Sequence, residues 1–455
     1  MKVSIPAAIF PALSDPANEE YAMIVSNSST FASGNIVDII PIVANGANFE
    51  TWYDFDNTRY FTFGIASRVS GKYNVEFSAG DFLVGENSVD LNTSFTISAW
   101  VRNLGSGGSV VSKGNAYDFR IDGAVNVKVL LNGSTRITSA TIVDDSKWHH
   151  ISATYSGSDL RLYIDGVEDP NSPQTAVPIP TSTTDRFAIG VNYIDKDDIS
   201  TAFDGDIDEV RVWDSALSLT QIQYIMNQEI SEHTDTNVKG NVLPQSITKN
   251  EVGAIPWNNL QAYHDINSFY GTTVEDGSSN DNWVRIKYLV PGKDIIDNQT
   301  TPLPYGSNGS GAWDTITTWK SGVESYIPGS ASLVDPNVTV DWNIVSISHN
   351  VTMDNASLPA ANNDNRRLLG LIADSTKELT VSADNAVTVT HYLELNGSID
   401  LEGESQLIQT DRSVLTVGAN GSLERDQQGT SDLYTYNYWS SPVGALNSTA
   451  TNDTY

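Results

Sequence analysis

SFTISAWVR (94–102), KWHHISATYSGSDLRLYIDGVED (147–169) and FDGDIDEVRVWDSALSLTQIQYI (203–225) decide the fold of this chain. Apart from the end of the third, each piece alternates apolar and polar residues at period two, the mark of a half-buried strand. In the first, Phe95, Ile97, Ala99 and Val101 share one face, while Thr96, Ser98 and Trp100 share the other. Asp165-Gly166 and Ser156-Gly157-Ser158 stand where tight hairpin turns need positive φ, which Gly accepts without steric cost. VEFSAGDFLVG (75–85) and RFAIGVNY (186–193) add further short strands. Many short strands separated by turn signals predict a two-sheet antiparallel sandwich. After the last strand, Ser218 and Gln221 stand at capping-box spacing, and Leu219, Ile222, Ile225 and Met226 recur at helical spacing. A short helix is therefore expected to pack back on the sandwich.

TISAWV, KWHHISATY, LRLYIDG and FDGDIDEVRVWDSALS, in that order and spacing, resemble the laminin-G-like (concanavalin-A-like) jelly roll of bacterial surface proteins. The resemblance covers roughly a third of the chain and implies a jelly-roll β-sandwich over residues 74–231.

At 455 residues the chain is too long for one ordinary core, and about three domains are expected. A net charge of −31 repels nucleic-acid phosphates and anionic lipid headgroups, so neither is an expected partner. The chain has no cysteine, which excludes disulfides, thiolate zinc sites and thiol catalysis. No apolar run is long enough to cross a membrane as a helix. MKVSIPAAIFPALS (1–14) has Lys2 before apolar residues, but Pro6 and Pro11 interrupt the run, which reads as a strand rather than a signal peptide.

Working outward, residues 1–73 hold strand-like runs at KVSIP, YAMIVSN, NIVDIIPIV and RYFTFGIAS, read as a partial β-domain. Residues 232–311 are polar and aromatic-rich and read as a connecting region. Residues 312–425 read as a short β-solenoid, because Asn396-Gly397-Ser398-Ile399 recurs as Asn420-Gly421-Ser422-Leu423, 24 residues on. About three coils are expected. Residues 426–455, with LYTYNYWSSPVG (433–444), read as the start of a further segment. The first and last of these segments resemble parts of large Flavobacterium-type surface proteins. That resemblance implies export by type IX secretion, an outer-membrane-associated cell-surface location, and export signals outside this chain.

Asp208 draws attention among the ionisable groups. On a regular strand it shares parity with Val210 and Val212, which places a carboxylate at the edge of the core. The laminin-G resemblance implies a structural Ca²⁺ between the module's first and last strands, with Asp208, Asp81 and Gly80 as ligands. Backbone capping of Asp208 is the alternative. Asp195, Asp197, Asp198, Asp204 and Asp206 crowd the preceding loop without EF-hand spacing and read as a solvated acidic loop. His149 and His150, adjacent on a strand, should face opposite ways and are read as structural.

Jelly-roll glycosidases carry Glu-x-Asp-x-x-Glu on one strand. The nearest match, Asp206 to Arg211, has Arg211 where the second Glu must stand. The expectation is a non-catalytic, all-β surface protein whose jelly roll binds an extracellular glycan or a surface protein. A polysaccharide-degrading enzyme and a purely structural stalk are the alternatives.

Overall fold

Period-two alternation becomes strands at Phe95–Asn103, Trp148–Tyr155 and Gly205–Trp213, and these lie side by side. In the computed structural model the described residues are 1–426, except 54, 56, 57, 79, 87, 196, 197, 244–251, 321, 356–363 and 412. The LYTYNYWSSPVG stretch and Asp197 lie outside them. Leu160–Ile164 and Val167–Glu168 extend the first sheet on one side, and Asn74–Phe77 and Ile295–Ile296 on the other. The facing sheet runs Ser134–Ile142, Asn126–Leu131, Tyr117–Ile121, Gly108–Lys113, Ala188–Ile189, Phe82–Val84, Val284–Lys287. Phe95, Ile97 and Ala99 from the first sheet and Leu83, Phe119 and Val129 from the second close one core between them. The expected face assignment of Phe95 to Val101 holds.

Local turn chemistry follows the sequence. Asp165 and Gly166 both adopt positive φ (52° and 75°), and Gly157 sits at 102°. The Ser218 side chain accepts from the Gln221 N–H, while the Gln221 side chain accepts from the Ser218 N–H, which starts the helix Leu219–Ile225. Ile222 and Ile225 bury against Trp213, and the same cluster takes in Ile344 and Leu369 from the solenoid. Trp100, Trp148 and Met226 pack with Val340 and Trp342. The outer face of the first sheet is thus roofed by the helix and by the C-terminal unit.

Residues 232–311 do more than connect. Leu260–His264 pairs with Gly205–Trp213, Val284–Lys287 with Phe82–Val84, and Ile295–Ile296 with Asn74–Phe77. Short strands between polar loops hid this role, because pairing partners 47 or more residues apart leave no local trace. The N-terminal strands Glu19–Ser26, Ile36–Pro41 and Tyr60–Ser70 continue the facing sheet through Ser268–Tyr270. Lys2–Pro6, Val43–Asn45 and Asn48–Trp52 form a small separate sheet whose hairpin turns at Gly46, φ 62°.

The C-terminal unit is a parallel solenoid. One of its sheets stacks Gly311–Ala312, Val351–Met353, Glu378–Val381, Ser398–Leu401 and Ser422–Arg425. The described residues therefore build five rungs where about three coils were expected, since the stack begins upstream with rungs too short to show a repeat. The Asn-Gly repeat is real: Ser398 stands opposite Ser422 and Ile399 opposite Leu423. A Cβ on Gly397 would come within 2.2 Å of Lys377 O and 2.3 Å of Asp374 O, so the turn stacks only because this residue has no side chain. Gly397→Ala should cost about 1–3 kcal/mol through overpacking, read as a lower urea midpoint for the solenoid signal at unchanged slope.

Candidate functional site

All nine residues of Gly205–Trp213 are buried. The strand is not regular, however. Glu209 has φ 53°, and the register against Phe95–Asn103 shifts between Asp208 and Arg211. An inserted residue resets the alternation. Ile207, Val210 and Val212 face the core, and Asp208 stands opposite Trp100 on the roofed face. The parity that grouped Asp208 with Val210 is corrected by this bulge.

Asp208 Oδ2 accepts from Gln299 Nε2 (2.9 Å) and Thr301 Oγ1 (2.7 Å), and Oδ1 accepts from the Glu209 N–H (2.8 Å). Burial raises its pKa to about 7 against the lowering effect of these donors. Asp81 Oδ2 instead accepts from the Ser78 N–H and hydroxyl (3.1 and 2.6 Å), beside Gly80 at φ 110°. Gly205 pairs with Phe77 and Asp206 with Glu76 in antiparallel register. Moving from there to Asp208 therefore leads away from Gly80 and Asp81. This register does not bring Asp208 beside Gly80 and Asp81, and the Asp208 carboxyl oxygens are held by three hydrogen bonds in this structure. Among the described residues no group of three or more His, Cys, Asp or Glu side chains is placed to hold a metal ion.

Around Asp208 the roofed face is densely ionic. Asp206 pairs with Arg102 and accepts from Asn74 (3.0 Å), and burial raises it to about 6. Glu209 pairs with Arg211 and accepts from Tyr263 Oη (2.9 Å), with burial pushing it to about 8. Arg211 also donates to Ile225 O (2.8 Å) and Gln228 O (2.7 Å) at the helix end. The adjacent histidines part as expected. His149 lies between Asp165 (2.7 Å) and Asp145 (3.1 Å), while His150 packs edge-on to Trp100 at 5.5 Å. In the acidic loop, Asp195 pairs with Asp198 across a small hairpin.

A second polar group lies on the solvent-side face of the facing sheet, and the sequence reading passed over it. In Tyr117–Ile121 the residues Tyr117, Phe119 and Ile121 enter the core, so Asp118 and Arg120 point outward. Arg120 Nη1 and Asn192 Nδ2 both approach Asp118 Oδ2 (3.3 and 3.4 Å). Asp118 is 2% exposed, and burial holds its carboxyl above its ordinary pKa. Asp118 Oδ1, Arg120 Nε and Asn192 Oδ1 are buried without a hydrogen-bond partner. Each such group costs about 1–3 kcal/mol unless water or a ligand completes it. Beside Asn192, Tyr193 meets Phe82 at 5.8 Å, and Phe82 meets Tyr288, 72% exposed, at 6.0 Å. The signal that could have found this site is the alternation of YDFRI itself.

Residues 77–223 match the family model of the concanavalin A-like lectin/glucanase superfamily. They form a laminin-G-like domain. Among solved structures, the chain is similar to a candidate carbohydrate-binding protein from Bacteroides ovatus ATCC 8483 at 15% identity. That match covers 66% of this chain and 94% of the other, with a TM-score of 0.35. It is also similar to the heptameric SAP-like pentraxin of Limulus polyphemus at 14% identity, covering 46% and 97%, with a TM-score of 0.31. A third likeness, at 14% identity, 34% and 94% coverage and a TM-score of 0.27, is to the CBM40 of the Ruminococcus gnavus IT-sialidase bound to α2,3-sialyllactose. Likenesses this distant say nothing about the ligand of this chain.

Asp208 ties the stability of the laminin-G-like domain to pH. Its folded pKa, about 7, lies above the ordinary 3.8, so its contribution to stability is full below about pH 4 and is lost as pH rises through 7. Asp208→Asn removes that titration. The effect of the substitution should therefore shift in favour of Asn by roughly 1 kcal/mol or more between pH 5 and pH 8, read from paired urea melts. Parallel wild-type and variant curves would show that Asp208 does not titrate with folding.

Proposed function

We propose that the laminin-G-like domain is a non-catalytic glycan-binding module, with Asp118, Arg120 and Asn192 as its hydroxyl-reading site. The observation that supports this is a polar group on the outward side of the sheet, with Arg120 and Asn192 at 3.3 and 3.4 Å from Asp118 and a partnerless buried polar atom on each of the three residues. A carboxylate oxygen and an amide oxygen accept, and a guanidinium N–H donates. A sugar hydroxyl both donates and accepts, so neighbouring hydroxyls complement such a set. The exposed Tyr288 ring near Phe82 offers an apolar surface at the flank. In this reading the chain belongs to an exported cell-surface protein, and its solenoid is a spacer. The acidic surface and the lack of cysteine agree with that setting.

A hydrolytic reading would need two accessible carboxylates flanking one bond. Asp206, Asp208 and Glu209 are buried beneath the roof, and their oxygens are occupied by Arg102, Gln299, Thr301, Arg211 and Tyr263.

Affinity electrophoresis and calorimetry against a panel of plant and marine polysaccharides test the proposal. Binding should fall about tenfold or more in Asp118→Asn and Arg120→Met, as expected for lost charge-assisted hydrogen bonds. Undiminished binding in both variants would remove this site from the reading. Reducing ends released above a heat-killed control, and abolished by Asp206→Asn, would establish an enzyme instead.

A further inference from the structure

The strand Tyr60–Ser70 is paired unevenly. Along residues 60–67 Glu19–Ser26 covers one edge, while Ser268–Tyr270 reaches the other edge only at residues 68–70. Among the described residues nothing pairs with the second edge of residues 60–67. The Arg68 N–H donates to Asn18 O (2.8 Å), on the Glu19–Ser26 side, which fixes the alternation. Even-numbered residues turn their backbone groups to that neighbour. The N–H and C=O of Phe61, Phe63 and Ile65 therefore point out of the open edge.

The same residues carry apolar side chains, with Phe61 44% and Ile65 43% exposed. Folded proteins protect such edges with Lys, Pro or inward-pointing charges. TFGIA at the centre of this edge has none, and no charge or proline occurs anywhere from Tyr60 to Ser67.

We propose that this edge docks on the same edge of a second copy of the chain, antiparallel about a twofold axis at Phe63. An isologous contact requires a surface complementary to itself, and this one is. With Phe63 opposite Phe63 of the second copy, Phe61 falls opposite Ile65, and all three outward residues form narrow, doubly hydrogen-bonded pairs. Arg59 falls opposite Ser67, so no like charges meet across the pair. Arg68 keeps its ion pair with Glu275 (2.7 Å). Two chains of net charge −31 repel over most approaches, and an uncharged edge is where contact costs least. A single strand pair is a small interface, so the dimer forms by mass action and is favoured by salt, which screens the repulsion.

Sedimentation of the whole chain across a concentration series, at low and high salt, is the test. Dimer should grow with concentration and with salt, and Ile65→Lys and Ile65→Pro should weaken it at least tenfold. Far-ultraviolet dichroism checks that both variants stay folded. Hydrogen exchange on the unmodified chain reads the same edge without any substitution. The amides of Phe61, Phe63 and Ile65 should slow as concentration rises, while those of Thr62 and Gly64 stay constant. A monomer at every concentration, concentration-independent exchange at those three amides, or a dimer of full strength in folded Ile65→Lys would each overturn the proposal. So would occupation of the edge by an extended segment of a different protein in place of a second copy.

Discussion

Arg211 holds together the face on which the two halves of the molecule meet. Its guanidinium pairs with Glu209, donates to Ile225 O and Gln228 O, and lies over the Tyr263 ring at 5.4 Å. One cation thereby satisfies a buried carboxylate and closes the C-terminal end of the helix Leu219–Ile225, where the helix dipole favours positive charge. That helix carries Ile222 and Ile225 into the cluster shared with Ile344 and Leu369 of the solenoid. A charge buried this deeply gains little for stability over a well-packed apolar side chain. Breaking such a pair by removing one partner is another matter, because the other charge stays behind in a medium that cannot solvate it. The ion pair therefore fixes the seat of the helix more than it strengthens the fold.

Residues next to one another on these strands titrate in opposite directions. Burial alone would lower His149, but Asp165 and Asp145 outweigh it and hold the imidazole at about 10. His150, one position along, is driven down to about 3 by burial and then by Arg211. The charged one serves the seam between the units. Tyr326, from beyond the sandwich, donates to Asp145, packs against the His149 ring at 5.4 Å and lies under Lys147 Nζ at 4.2 Å. Because strand neighbours face opposite ways, one dipeptide supplies a cation to an interface and a neutral ring to a roofed face.

Much of this was legible in the residues. Alternation in SFTISAWVR sorted Phe95, Ile97 and Ala99 into the core, Asp165-Gly166 made its turn, and Ser218 and Gln221 capped their helix. The Asn-Gly repeat marked two rungs that stack in register. What escaped has a common cause: it depends on partners distant in sequence or on a single irregular residue. Nothing in GDIDEVRVW announces that Glu209 will take positive φ, yet that one residue moves Asp208 from the core face to the roofed face. The strands within 260–296 are short and draw their meaning from residues 74–84 and 205–213. Asp118 and Arg120 were readable by parity. What parity does not show is that Asn192, 74 residues on from Asp118, joins them.

Those two polar faces show why residue type alone does not make a site. Both sheets bury carboxylates beside arginines, and both leave atoms without partners. On the roofed side these include His150 Nδ1, Ser152 Oγ, Arg211 Nε and Trp213 Nε1. There the helix, residues 299–301 and the solenoid close over the face, so anything that completes those atoms must be as small as water. On the other side, the Arg120 side chain keeps 23% of its surface in solvent, and Asn192 stands at the start of an exposed hairpin. Asp118 itself is buried, but the groups that cover it are a partly exposed arginine and a surface hairpin rather than a second unit. What lies over a buried carboxylate, rather than charge or count of acidic groups, distinguishes the two faces.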